Sequence, residues 1–205
     1  MFNSLKFKVI LFGFIFTFFS SFGQSFFLGL FNSSIRETLS ITHGQFGTIY
    51  ASATLCSSLL LIWVGKKIDD VNIFKFAFLV IILLSFACFF FSKISSVLLL
   101  FVAIFLMRFS GQGLMSHTAS TTISRYFTKT RGKALSISWF GLSSAEFIMP
   151  VLMVYLLTIF SWQNLWLMFS ITVLIFLPIV SFSLVKNLNL DSRETKDKNM
   201  KDEEI

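Results

Sequence analysis

The chain has 205 residues, of which 55% are hydrophobic and 13% charged, and its formal net charge is +7. Soluble domains carry about 25% charged residues, and a chain of this length folded in water leaves roughly a third of its surface wet. The composition excludes a soluble globular protein and predicts an all-α membrane protein that has lipid as its solvent.

Six apolar runs follow one another along the chain, and each is close to the ~20 residues that cross ~30 Å of hydrocarbon as a helix. The runs lie at about 9–31, 46–64, 73–91, 97–121, 133–157 and 162–185. We therefore expect residues 1–185 to form a six-helix transmembrane bundle. The last segment, 186–205, is charged and has almost no apolar content, which is typical of a disordered tail.

The first run has an alternative interpretation as a cleaved secretory signal. Lys6 and Lys8 precede it, and Ser21 and Gly23 are small residues of the kind found at cleavage sites. However, the apolar stretch continues to Phe31, which is longer than the apolar core of a signal. The length favours a transmembrane span.

The distribution of Lys and Arg predicts the orientation of the spans. Fourteen of them fall in the amino terminus, the loops 65–75 and 122–133, and the tail, whereas Arg36 and Lys93 alone fall on the other side. The positive-inside rule places both termini in the cytoplasm, and we expect the inner (plasma) membrane of a bacterium. The positive charge is thus explained by topology and anionic lipid, without a nucleic-acid partner.

The cysteines and histidines provide no sign of a metal or a cofactor. Cys56 and Cys88 lie inside apolar runs, where a free thiol behaves as a small hydrophobic group. Together with His43 and His117 they form no cluster with ligand spacing. We expect no metal site, no cofactor and no catalytic residue.

The two halves of the chain share a local similarity. Gly23-Gln24 aligns with Gly111-Gln112 at an offset of 88 residues, which also superimposes the second run on the fifth. Because the first and fourth runs cross in opposite directions, the halves would be inverted repeats of three helices, an arrangement common in secondary transporters. The alternative is chance similarity between two helices rich in Phe and Ser.

Five segments carry a resemblance to a known family. In chain order they are Gly65–Asp69, Arg108–Gly113, Arg125–Phe127, Arg131–Ala134 and Gly141–Pro150. The first resembles the Gly-x-x-x-Asp signature in the 2–3 loop of the major facilitator superfamily, and the second resembles that family's fourth-helix Arg-x-x-Gln-Gly pattern. The others resemble its 4–5 loop and its fifth helix, which bears Gly and Pro. The chain is therefore similar to major facilitator transporters in the order and sidedness of these motifs.

The resemblance covers residues 9–185 and departs from the family in one loop. Asp70 stands where the signature has Arg, and Asn72 stands where it has a second Gly. Major facilitator transporters have two six-helix halves, so the resemblance implies an amino-terminal half. It also implies a partner, which would be a second six-helix half or another copy of this chain.

The loop motifs also have a direct physical interpretation. Gly65 and Gly132 allow tight turns at the membrane surface, and Asp69 is placed to cap the third helix. Arg125 and Arg131 of the 4–5 loop are expected to pair with Asp69 and so connect the two repeats. The alternative is that these residues only fix topology and contact lipid.

Four polar residues inside the apolar runs are the candidates for a solute or ion path. Arg108 and Glu146 are charged, and such residues in a bilayer usually face a cavity or a partner. Gln112 lies one turn beyond Arg108, and Gln24 has the matching position in the first run. We expect Arg108 to bind an anionic group or to tune Glu146, with Glu146 as a proton site. The alternative is an ion pair that only fixes helix packing.

These residues predict a secondary active transporter that moves a small solute, with an organic anion as one candidate and H⁺ as the candidate coupling ion. A truncated half that does not transport, or an assembly subunit, is the main alternative. An intramembrane serine protease is more remote, because Ser110 and His117 are ~10 Å apart along one helix and no Gly-x-Ser-Gly occurs.

The charge asymmetry generates a prediction about topology. Reporter fusions placed after residues 32–45 and 158–164 should behave as extracytoplasmic, because these segments contain one cation, Arg36, too few to hold a loop in the cytoplasm. Fusions at 70, 128 and 200 should behave as cytoplasmic. A cytoplasmic signal from the 158–164 loop would contradict six crossings.

Overall fold

The computed structural model describes residues 4–69 and 71–185, without the side chains of Ser4, Asp69 and Val185. In the described chain, six helices are long and apolar enough to cross a membrane, judged by length and composition. The prediction of an all-α protein with six transmembrane helices is confirmed, and the predicted tail 186–205 lies outside the described residues. In chain order, the six spans are Leu5–Gly29, His43–Lys66, Ile73–Phe91, Val97–Tyr126, Arg131–Leu157 and Trp162–Leu184.

Two of the spans are not continuous α-helices, although the sequence predicts unbroken apolar runs. The first span consists of the α-helix Ser4–Ser20, the 3₁₀ turn Ser21–Gly23 and the short α-helix Ser25–Gly29. The fourth span consists of the α-helix Val97–Met107, the π-helix Arg108–Met115 and the α-helix Ser116–Tyr126. Apolar content indicates which segments lie in lipid but not which carbonyl each N–H bonds to. The 3₁₀ turn and the π-helix therefore cannot be predicted from it.

The connections between spans use local capping. A helix that the sequence does not predict, Asn32–Leu39, follows the first span. Thr42 and Gln45 form a capping box, which starts the second span at His43, three residues earlier than expected. The third span is capped by Asn72, whose side chain accepts from the Phe74 and Lys75 amides at 2.9 and 3.4 Å. The expectation that Asp69 caps this helix is therefore wrong, because Asn72 is the residue directly before the first turn.

Consecutive spans alternate in direction, which gives the bundle two faces. The amino-terminal face contains the start of the first span and the connections 67–72 and 127–130; the opposite face contains the loops 30–42, 92–96 and 158–161. Among the described residues, nine Lys and Arg side chains belong to the amino-terminal face, while the opposite face has Arg36 and Lys93. The charge asymmetry predicted from the sequence is thus present in the described part of the chain.

The six spans form two inverted repeats of three helices, and the packing follows that symmetry. The first span packs against the fifth as the fourth packs against the second, and the first and fourth also cross each other. At that crossing Gly23 and Gly111 touch, and a Cβ on Gly111 would lie 2.7 Å from the Gly23 amide nitrogen. These are the two glycines that the 88-residue offset makes equivalent, so they lie where the two repeats meet.

The third and sixth spans, which the repeat also makes equivalent, are joined by a reciprocal pair of hydrogen bonds. Ser85 Oγ donates to the Ser170 carbonyl at 2.9 Å, and Ser170 Oγ donates to the Ser85 carbonyl at 2.8 Å. Such mutual contacts are what a two-fold relation between two surfaces produces. Hydroxyl bonds of this kind and small residues are what hold helices together where lipid is as apolar as the side chains.

Aromatic side chains fill the space between the first, third and sixth spans. Trp166 is fully buried, and its ring centroid lies 4.4 Å from that of Phe91 and 5.6 Å from that of Phe27. Phe22 and Phe169 belong to the same cluster, with their centroids 5.0 Å apart. The cluster packs against the interrupted part of the first span and thereby supports a segment that lacks regular helical hydrogen bonds.

The contact between the first and fifth spans generates a stability prediction. Gly141→Ala should lower the free energy of unfolding by about 1–3 kcal/mol, the usual cost of overpacking, because the new methyl group would overlap the Phe14 carbonyl oxygen and the Thr17 hydroxyl. The measurement is the thermal midpoint of the purified chain in detergent. Gly47→Ala is the matched control, since a Cβ at that helical position meets no atom within 4 Å. Equal midpoints for the two variants would contradict the described contact.

Candidate functional site

The first span is not a regular helix along its whole length. After the turn Ser21–Gly23, Gln24 has extended backbone angles of φ −80° and ψ 154°, and a new helix begins at Ser25. The chain therefore leaves the helical path for one residue, near the end of the first span at Gly29. Non-helical backbone in a membrane is tolerated where it is buried in protein or lines a cavity. Here the turn Ser21–Gly23 is buried, and Gln24 itself is half-buried.

The wide turns of the fourth span lie directly against this interruption. Its π-helical segment contains Arg108, Gln112 and two glycines, and it packs against the turn Ser21–Gly23. A side chain at Gly23 would overlap the Met107 carbonyl oxygen and the Gln112 amide nitrogen. Segments of π-helix occur frequently at functional sites. The two irregular segments thus form one structural unit at the crossing of the repeats.

Arg108 is buried at this crossing, with 8% of its surface exposed. Its Nη1 donates to the Gly23 carbonyl oxygen at 3.0 Å and to Ser25 Oγ at 3.4 Å. The Tyr50 ring covers the guanidinium, whose carbon atom lies 5.4 Å from the ring centroid. Arg108 Nε is buried and has no hydrogen-bond partner among the described residues. The guanidinium is therefore held by neutral groups and is not fully satisfied by them.

Tyr50 connects the second span to the same group of residues. Its hydroxyl donates to Ser25 Oγ at 2.9 Å, and its ring stacks with that of Phe46 at a centroid distance of 6.3 Å. Together, Ser25, Tyr50 and Arg108 bring the first, second and fourth spans to one point. We refer to these three residues, with the Gly23 carbonyl, as the arginine cradle.

Sequence reasoning missed Tyr50, Ser25 and the Gly23 carbonyl, although one signal was available. Tyr50 lies seven residues after the start of the second span at His43, about 10 Å into the bilayer from the opposite face. Arg108 lies eleven residues after Val97, about 16 Å from that face. A buried guanidinium needs hydrogen-bond acceptors or an aromatic ring to pack against. A tyrosine at a depth within about one helical turn of Arg108 could have been identified from the sequence as such a ring.

Gln24 and Gln112, the predicted hydrogen-bonding residues of the path, are half-buried next to the cradle. Gln24 lies in the interruption and Gln112 in the π-helical segment, one turn from Arg108. Neither side chain makes a hydrogen bond with another described residue. Three of the four predicted path residues are therefore brought together by the crossing of the first and fourth spans.

Glu146, the fourth predicted path residue, is not part of this group. It lies on the fifth span with an exposed side chain, and no described residue forms an ion pair with it. The expectation that Arg108 and Glu146 pair is therefore not met in this structure, in which the guanidinium bonds to the first span instead. Sequence spacing gives the depth of a residue but not the direction its helix face takes, which is the physical reason for the difference.

The predicted loop residues of the amino-terminal face are connected through backbone carbonyls. Gly65 is buried, and its carbonyl oxygen is hydrogen-bonded to His117 Nε2 at 2.9 Å. Arg125 Nη2 donates to the Ile68 carbonyl at 2.8 Å. His117 and Arg125 of the fourth span thus bind the end of the second span and the connection that follows it, and these bonds join the two repeats. The side chain of Asp69, the predicted partner of Arg125, lies outside what the structure describes.

Arg131 and Gly132, the remaining predicted loop residues, are exposed at the start of the fifth span, and no atom lies close to a Cβ built on Gly132. Ser110 and His117, the pair weighed for a serine protease, bond elsewhere: Ser110 Oγ donates to the Leu106 carbonyl at 2.7 Å, and His117 bonds to Gly65. Across the described residues, no three His, Cys, Asp or Glu side chains come together as metal ligands would.

Comparison with protein families identifies the fold that carries this site. A family model described as Major Facilitator Superfamily matches residues 13–203. The chain belongs to the Major Facilitator Superfamily. The match covers every described span, although it begins inside the first, and the resemblance drawn from the loop and fourth-helix motifs is confirmed. No curated protein and no solved structure matches the chain.

Major facilitator proteins are transporters, and the six spans described here have the arrangement of one six-helix half. The interrupted first span and the π-helical fourth span therefore lie in equivalent positions of the two repeats of that half. Such discontinuous helices form the substrate and ion sites of many transporters at the level of the bilayer midplane. In this chain the discontinuous segments of the first and fourth spans contribute Gly23, Ser25 and Arg108 to the arginine cradle.

The separation of Arg108 from Glu146 generates a prediction about their energetic coupling. In a double-mutant cycle with Arg108→Leu, Glu146→Leu and the pair, the changes in stability should add within ~0.5 kcal/mol, as they do for residues without shared partners. The measurement is thermal unfolding of each variant in detergent. A large coupling energy would mean that the two charges do meet, as the sequence predicts. Arg108→Leu combined with Tyr50→Leu serves as the positive control, because the guanidinium contacts the Tyr50 ring, which this change removes.

Proposed function

We propose that this chain functions as the amino-terminal six-helix half of a secondary active transporter. Its solute is a small molecule with an anionic group that binds to Arg108. The buried guanidinium of Arg108, held only by neutral groups, is the observation that carries the proposal. Discontinuous spans around it support a site that changes shape during alternating access. Its family membership supports transport as the activity.

The charge balance within the spans supports an anionic solute. Of the described residues, the only acidic side chain inside a span is Glu146, which is exposed on the fifth span and forms no ion pair with a described residue. Placing Arg at the centre of a membrane helix costs ~2.5–3.5 kcal/mol on insertion scales. Carbonyl, hydroxyl and ring dipoles offset part of that cost but leave a net positive charge in a medium of low dielectric constant. A carboxylate or phosphate would supply the missing charge and also the bidentate geometry that Arg prefers.

The cradle suggests how binding could be coupled to movement of the first span. A bound anion would compete with the Gly23 carbonyl and Ser25 hydroxyl for the N–H groups of Arg108. Losing those bonds would release the interrupted segment from the fourth span. Gln24 and Gln112 flank the site and would provide hydrogen bonds to neutral parts of the solute. Differential contact of this kind is what allows a ligand to shift a conformational equilibrium.

Glu146 supports a second role for the fifth span. We propose it as a proton site that faces the partner, which is a second six-helix half or another copy of this chain. The exposed surface of the fifth span carries Ser143 and Glu146 among apolar residues. Polar groups of this kind are costly against lipid but acceptable against another protein. A complete path needs such a partner, since alternating access requires one bundle to rock against another.

For the orientation, we propose that the amino-terminal face is cytoplasmic. The excess of Lys and Arg on that face among the described residues agrees with the positive-inside rule. The membrane would be the inner membrane of a bacterium. The cradle would then lie nearer to the outside, because Arg108 is about 16 Å from the face at which the fourth span begins.

The test of the proposal is anion binding to the purified chain. Malonate, oxalate and inorganic phosphate serve as probes, and malonamide is the uncharged analogue of the first. We expect at least one anion to raise the thermal midpoint of the chain, because a ligand that binds only the folded state stabilises it by RT ln(1 + [L]/Kd). Malonamide should leave the midpoint unchanged.

Two variants connect that result to the cradle. Arg108→Gln keeps hydrogen-bonding capacity but removes the charge, and it should abolish the shift caused by the anion. Lys93→Gln removes one charge from the opposite face and should retain the shift in full. An equal shift in Arg108→Gln and in the unmodified chain would assign anion binding to another site. The absence of a shift with every anion would count against an anionic solute.

A further inference from the structure

A groove on the outer surface of the third and sixth spans has no part in the proposed transport path. It has a volume of about 640 Å³ and lies at the amino-terminal face of the bundle, where the third span begins and the sixth span ends. Two rings, those of Phe74 and Phe182, approach each other across it with a centroid distance of 5.8 Å. The residues that line the groove are Phe74, Phe78, Pro178, Ile179, Phe182 and Ser183.

The lining leaves nothing polar for an occupant to bind. Ser183 carries the only side-chain polar atom among the lining residues, and its hydroxyl donates to the Val180 carbonyl at 2.8 Å. An occupant of this groove therefore gains only apolar packing. A sugar, a peptide backbone or a free anion would lose hydrogen bonds there, whereas a hydrocarbon chain would not.

The surface around the groove is one that faces the bilayer. Beyond Lys75, every exposed side chain of the third span is apolar, for example Phe78, Ile82 and Phe86. On the sixth span the exposed Thr172 hydroxyl bonds to its own helix, at 2.9 Å from the Met168 carbonyl. The fifth span differs from these two, because its exposed surface contains the charged residue Glu146. Lipid is thus the medium that reaches the groove.

Lys75 adds a charge at the membrane-surface end of the groove. It is exposed and lies one residue after Phe74 and three residues before Phe78, so it shares a helix face with Phe78. It also belongs to the face on which most described cations lie. Basic side chains next to crevices between membrane helices bind the head groups of anionic lipids.

We propose that this groove is a binding site for an anionic phospholipid, with one acyl chain against Phe78 and Ile179 and the phosphate next to Lys75. The apolar lining selects a hydrocarbon chain, and the adjacent cation selects an anionic head group. The neighbouring lipid tails are as apolar as the groove, so the preference between lipids comes from the head group. One Lys near the surface corresponds to a preference of about fivefold.

The test uses a fluorescent reporter in the groove of the full chain. Phe182→Trp places the reporter, and Trp63→Phe with Trp139→Phe removes the two exposed native tryptophans. Trp162 and Trp166 are buried and stay in place, so that the aromatic core is kept. Their signal is subtracted with the same chain lacking the groove tryptophan. The protein is reconstituted in vesicles of phosphatidylglycerol and phosphatidylcholine, one of which carries brominated chains that quench tryptophan.

Brominated phosphatidylglycerol should quench the groove tryptophan with an apparent affinity about fivefold higher than brominated phosphatidylcholine. Lys75→Gln should abolish the preference, and Lys93→Gln, the matched change at the opposite face, should retain it. A tryptophan at Phe86, further along the third span, should show no preference in either background.

Three outcomes would overturn the proposal. The two brominated lipids could quench the groove tryptophan equally in the unmodified background. The preference could survive in Lys75→Gln, which would assign it to the general potential of the surface. A third contrary outcome is that neither brominated lipid quenches the groove tryptophan, which would show that protein covers the groove. A thermal midpoint close to that of the unmodified chain confirms that each variant is folded.

Discussion

The contact between Gly23 and Gly111 is the constraint on which the rest of the structure depends. Two helices approach this closely only where neither has a side chain, and both residues lie where the inverted repeats meet. The contact brings the interruption of the first span against the π-helical segment of the fourth. Because of it, the Gly23 carbonyl lies within hydrogen-bonding distance of Arg108. A larger residue at either position would separate the two irregular segments and with them the cradle.

The buried positive charge of Arg108 is stabilised by the dipoles of neutral groups and not by an acidic side chain. A buried ion pair satisfies both partners but leaves little reason for either to bind a third group. Arg108 instead has a backbone carbonyl, a serine hydroxyl and a tyrosine ring as neighbours. These groups make burial of the guanidinium tolerable without neutralising it. A transporter needs such an intermediate state, because a site that is already satisfied has no affinity to offer a solute.

Much of the fold follows from the sequence, because lipid imposes a simple rule on it: apolar runs of sufficient length cross, and cations mark one side. The repeat also followed, since Gly23 and Gly111 are equivalent in the sequence and touch in the structure. The cap of the third helix did not, because Asn72 and Asp69 are both capping residues and only geometry chooses between them. The surroundings of Arg108 did not either, because spacing along a helix fixes depth but not the rotation that turns Arg108 to Tyr50 and Glu146 away.

The bond between His117 and Gly65 has a consequence for the protonation of the imidazole. A carbonyl oxygen only accepts hydrogen bonds, so the ring nitrogen that contacts it, Nε2, must carry the hydrogen. The neutral ring in this tautomer has its lone pair on Nδ1, and a second proton would be added there. Both the neutral and the charged forms therefore donate to Gly65. The backbone at the end of the second span thereby fixes which ring nitrogen of His117 donates, and it leaves Nδ1 as the acceptor of the neutral ring.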